Sequence, residues 1–145
     1  MAGIGGQVSV ITLLDTDVLV DLALDRKPHA EPAAHLLDAL EHRPGTAYVA
    51  WHTVANFYYL VRPTRGGTGA RGLIADLLRF VDVAPTTIQS LRYATRLEMS
   101  DFEDAMQVAA AAACSADVIA TRNVRDYANA PIRAATPRSL LGELT

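Results

Sequence analysis

The side chains of this 145-residue chain best equipped for chemistry are its carboxylates, and they gather in three clusters. Asp15, Asp17 and Asp21 fall within seven residues, directly behind the apolar run Val10-Ile-Thr-Leu-Leu14. Asp101, Glu103 and Asp104 form the second cluster, and Asp126 with Asn123 forms the third. Carboxylates held close together repel, and a hard divalent cation lifts that cost. Oxygen-only ligands favour Mg²⁺ or Mn²⁺ over Zn²⁺. Such an ion polarises a phosphoryl oxygen and helps make a hydroxide-like nucleophile from water, which is the chemistry of phosphodiester cleavage. Asp15 or Asp17 alone would read as a helix cap. Three clusters read as a metal site.

Positioning these acids takes alternating strands and helices. The run ending at Leu14 predicts a strand buried on both faces, delivering Asp15 to the C-terminal edge of a sheet. A short helix is expected over Val18–Leu24 and another over Glu31–His42, where Ala33, Ala34, Leu36, Leu37 and Leu40 recur at helical spacing. Arg43-Pro-Gly-Thr46 ends that helix, and Ala47–Ala50 reads as a second strand. Trp51–Val61 follows as an aromatic-rich helix, with Trp51 and the Tyr58-Tyr59 pair read as core or dimer contacts. Arg62–Arg71, with three arginines and three glycines, reads as a low-order connection. Its arginines, Arg62, Arg65 and Arg71, are candidate phosphate contacts on a flap, against a plain surface loop.

Beyond it come a helix over Leu73–Phe80, a short strand over Val81–Ala84 and a helix over Thr86–Glu98. Ser100-Asp-Phe-Glu103 matches a capping box, which makes Ser100 the N-cap and Glu103 a helix-start residue rather than a ligand. Asp104 sits deeper, before an alanine-rich stretch whose small side chains let the helix lie close to its neighbour. Asp101 stands as either a second ligand or favourable dipole chemistry. Asp117–Ala120 predicts another strand, followed by Thr121-Arg122-Asn123 and Asp126. Pro131–Ala134 reads as an edge strand and Pro137–Leu144 as a closing helix. This alternation implies an α/β fold with a parallel sheet covered on both faces.

The composition limits the alternatives. Half the residues are hydrophobic and a fifth charged, so the chain forms one globular domain over residues 9–145, behind a loose tail at residues 1–8. The net charge of −3 argues against nucleic-acid binding through overall positive charge. Lys27 is the sole lysine among 13 basic residues. The single Cys114, read as a buried small apolar residue, forms no internal disulfide and fits a reducing cytosol. No apolar run approaches the roughly 20 residues of a membrane span, and the first residues do not read as a secretory signal. His29, His35 and His42 lack metal-ligand spacing, and His52 reads as packing or capping near the strand edge.

With these residues assembled, the chain resembles a PIN-domain ribonuclease of the bacterial VapC-type toxin class. The likeness rests on Leu14-Asp-Thr-Asp-Val-Leu-Val-Asp21, Asp101-Phe-Glu-Asp-Ala105 and Thr121-Arg-Asn-Val-Arg-Asp-Tyr127. It implies a three-layer α/β/α sandwich with strand order 3-2-1-4-5 and Mg²⁺- or Mn²⁺-dependent cleavage of RNA. It also implies a homodimer and neutralisation by a cognate antitoxin. Carried over, Asp15, Asp104 and Asp126 match metal-site positions, with Asp101 as a further ligand. Asp17, Asn56, Thr121 and Asn123 are supporting residues, and Arg122 joins the arginines expected on substrate. The chain departs from the family in having Asp17 where Asn or Ser is usual. It also carries Asn56, and no acid, on the helix that usually supplies a glutamate. That absence keeps a non-cutting PIN domain, binding RNA or protein, as the alternative. Asp15-Thr-Asp17-Val also resembles the nucleophile motif of haloacid dehalogenase phosphatases, but the downstream lysine of that chemistry is missing.

Overall fold

At the centre of the sheet lies β1 (Thr12–Leu14), every residue of it buried. The computed structural model describes residues 9–144, so the tail expected at residues 1–8 lies outside the described residues. Along the chain, β1 is followed by α1 (Thr16–Ala23), α2 (Ala30–Glu41), β2 (Ala47–Val49) and α3 (Trp51–Leu77). Next come β3 (Asp82–Val83), α4 (Ile88–Arg96), α5 (Phe102–Ala113), β4 (Val118–Ala120), a 3₁₀ turn (Val124–Tyr127), β5 (Arg133–Ala135) and α6 (Pro137–Leu144).

The five strands are parallel in the order β3-β2-β1-β4-β5, the order the resemblance implies. Helices cover both faces, because alternate strand residues point to opposite sides. Leu14, Val118 and Ala120 pack with α1, α2, α3 and α6, whereas Leu13 and Ile119 pack with α5. The small face of α5 serves close approach as expected: Ala105 and Ala109 pack against Ala94 of α4. Among the described residues no helix is long and apolar enough to cross a membrane.

Two expectations fail. Arg62–Arg71 is not a loop: the first helical stretch of α3 continues through Pro63, and a break at Gly66 (φ 75, ψ 167) divides it from a second stretch, so the helix expected over Leu73–Phe80 is present but starts earlier and stops at Leu77. Tertiary contacts override the poor helix propensity of its glycines. Phe57 and Val61 before the break, and Ala70, Leu73, Ile74 and Leu77 beyond it, all pack on the core. Arg65 anchors the junction, donating through Nε (3.1 Å) and Nη2 (2.8 Å) to the Ala23 carbonyl at the end of α1. A cation suits that helix C-terminus. The second failure is at α5, where Asp101 rather than Ser100 is the N-cap and accepts from the Asp104 amide at 3.0 Å. The residue reading also put Trp51 and Tyr59 in core or dimer contacts. Within the chain they are exposed, Trp51 by 74%. Cys114 is half-buried.

Candidate active site

β1 ends at Leu14, and the next residue is already the N-cap of α1. Asp15 therefore does what the capping reading expects, accepting from the Thr16 amide at 2.7 Å, and more. Its Oδ1 also accepts from Gln107 Nε2 at 3.2 Å, and its Oδ2 from Thr121 Oγ1 at 2.9 Å and the Tyr127 hydroxyl at 3.0 Å. These donors come from α5, the end of β4 and the 3₁₀ turn. Parallel pairing of β1 with β4 brings the last two beside Asp15.

Asp17, the second residue of α1, is gripped by the loop after β4. Its Oδ2 accepts from Asn123 Nδ2 at 3.0 Å and Thr121 Oγ1 at 3.3 Å, and the Arg122 amide lies at the same distance. The Arg122 side chain turns inward to Asp21, its Nε 3.1 Å from Oδ2. Asp21 is only 1% exposed, so this pairing keeps a buried charge compensated. Behind the acids, Thr53 joins the network: its hydroxyl meets those of Thr16 (3.1 Å) and the amide of Gln107 (2.9 Å).

The acids open onto one cavity of about 580 Å³. Asp15 and Asp17 line one wall, Asp101, Glu103 and Asp104 a second, and Asn123 and Asp126 a third. Asn56, Tyr59 and Leu60 of α3 complete it, with Arg26 and Arg122 at its edge. Burial pushes the Asp15 carboxyl up despite its donors. Burial and the charge of Asp15 raise Asp17 to about 7. Asp104 rises to about 6 through burial and the charges of Asp101, Asp15 and Asp126. Asp17 and Asp104 thus hold protons well above the usual carboxylate range, the electrostatic state that a divalent cation relieves.

A family model for the PIN domain matches residues 12–125. The chain belongs to the PIN-domain family. Solved structures agree on its fold. VapBC2 from Rickettsia felis, bound to a promoter DNA fragment, superposes with a TM-score of 0.70 at 15% identity, covering 88% of this chain and 98% of that one. FitAB bound to an IR36 DNA fragment gives 0.63 at 19%, covering 88% and 96%. FitAcB from Neisseria gonorrhoeae gives 0.61 at 21%, covering 88% and 98%. No curated protein matches the chain.

In this PIN domain the sequence-named residues divide clearly. Asp15, Asp17, Asn56, Asp101, Asp104, Arg122, Asn123 and Asp126 share the cavity, and Thr121 lies just beneath it. Arg62, Arg65 and Arg71 do not line it; Arg65 is committed to the Ala23 carbonyl. His52 is half-buried, and desolvation lowers its pKa. Glu103 is the helix-start residue expected, in the first turn of α5, and it also lines the cavity and accepts from Asn56 Nδ2 at 2.8 Å. Gln107 and Thr53 join the site although no acidic motif marks them. Gln107 carried a usable signal: one amide inside an alanine-rich apolar face requires a buried partner.

The donor set fits Mg²⁺ or Mn²⁺, being oxygen-only and crowded with acids. Among the described residues no three Asp, Glu, His or Cys side chains are already drawn together as a metal site. Such an open arrangement suits Mg²⁺, which keeps several of its waters when bound.

Proposed function

We propose that this PIN domain is a metal-dependent endoribonuclease, the toxin of a toxin–antitoxin pair. The observation that carries the reading is the shared cavity in which Asp15, Asp104 and Asp126 converge from three separate elements. Mg²⁺ or Mn²⁺ bound there would supply a Lewis acid for the phosphoryl oxygen and an activated water. Asp15 and Asp104 would hold the ion, with Asp126 and Asp101 on the outer walls. Thr121, Tyr127 and Gln107 orient Asp15, as partners behind a metal ligand do. Asn123 and the Arg122 amide fix Asp17. Arg26 and Arg122 offset the acid charge where an RNA backbone would approach. The superposed VapBC2 and FitAB are complexes bound to DNA. They support a cognate antitoxin as partner here; the working form we infer is a homodimer in the cytosol.

The test is cleavage of total RNA by purified protein in Mn²⁺, Mg²⁺ or EDTA, beside Asp15→Asn. Metal-dependent cutting that falls at least about a hundredfold in the variant supports the reading, since outer-shell losses reach only roughly 10–100-fold. The absence of an acid from the α3 wall favours a second reading, a PIN domain that binds RNA or protein without cutting. RNA binding without cleavage in any metal, with both proteins folded, would establish that alternative.

A further inference from the structure

The α3 wall of the acid cavity carries Asn56, Tyr59 and Leu60 and no carboxylate. Glu103 faces it from the first turn of α5. Because Asp101 caps α5, Glu103 takes no part in a capping box, and its side chain is available to the cavity. The Asn56 amide reaches across and donates to Glu103 Oε2 at 2.8 Å. A carboxylate offers about four lone-pair sites, and Asn56 takes one of them. The charge of Glu103 is felt at Asp15 on the opposite wall.

We propose that Glu103, oriented by Asn56, is a direct ligand of the divalent cation and supplies the carboxylate that α3 lacks. An amide brings no charge to a cation, whereas a carboxylate does. Asn56 is therefore a positioning residue, and Glu103 a catalytic one. The inference rests on the metal-dependent reading above.

The test is a calorimetric Mn²⁺ titration of metal-free protein, with the Mn²⁺ electron paramagnetic resonance signal as a second readout and thermal melts to confirm folding. Glu103→Gln should weaken Mn²⁺ binding by more than about a hundredfold, beyond the roughly 10–100-fold of an outer-shell loss, and Asn56→Ala by less. The exchanged pair Asn56→Glu/Glu103→Gln returns a carboxylate to the same gap and should recover most of the affinity. Glu103→Gln binding Mn²⁺ as tightly as wild type would overturn the proposal. So would an exchanged pair no tighter than Glu103→Gln, because the loss would then be structural. Wild-type protein that binds no Mn²⁺ at all would instead remove the metal-dependent reading, and this inference with it.

Discussion

Asp15 accepts four hydrogen bonds, about as many as a carboxylate can take. A cation reaching it must therefore share or displace a donor. Two of the donors have somewhere to go: Thr121 Oγ1 also lies 3.3 Å from Asp17, and the Tyr127 hydroxyl 3.4 Å from Asp104. Tyr127→Phe removes one of these shared protons, and its effect on Mn²⁺ affinity, read by calorimetry, should be a loss of roughly 10–100-fold. The raised pKa values carry a pH dependence whose sign is fixed. Asp17 titrates at about 7 in the folded protein against 3.8 ordinarily. Between those values the folded state binds more protons than the unfolded one, so its contribution to stability is lost as pH rises towards 7. His52, lowered from 6.5, acts in the opposite direction, so the informative measurement is a difference. In EDTA, the melting temperature of Asp17→Asn relative to wild type should improve from pH 5 to pH 8. At this scale the sequence exposes Asp15 and Asp104, because acids break an apolar pattern. It hides the partners of Asp15, since Gln107 and Tyr127 lie 92 and 112 residues away.

Helix α3 shows why some elements escape a sequence reading. Three glycines, a proline and three arginines in ten residues look like a connection, and nothing local argues otherwise. What makes the segment helical is distant: the core that receives Ala70 and Leu73, and the α1 carbonyl that receives Arg65. Gly66 marks the break. Its φ of 75 with ψ of 167 is a conformation essentially reserved for glycine. Nothing lies within 4 Å of an added Cβ there, so any cost of Gly66→Ala is backbone strain and not collision. Chemical denaturation should register about 1–3 kcal/mol of lost stability. The N-terminus of α5 departs from expectation for a different reason. Ser100 and Asp101 are both good caps, and only the observed bond from the Asp104 amide distinguishes them.

The whole molecule was the most legible scale, because alternating β and α segments restrict a parallel sheet to few arrangements. The central strand sets its tolerance to change. Leu14 is fully buried between β1 and its covering helices, and Leu14→Ala should cost about 2–5 kcal/mol in denaturant titration. Pairing between β1 and β4 also has a consequence for synthesis. Leu14 lies opposite Ala120, and the Asp15 amide donates to the Ala120 carbonyl at 2.9 Å. Until the segment through Tyr127 has left the ribosome, a growing chain holds Asp15 without Thr121, Tyr127 or the grip on Asp17. Such contacts between distant parts of a chain close late in folding. The acid centre therefore comes into being only after Tyr127 has been made, and fragments released before that point carry its first aspartates without the machinery that orients them.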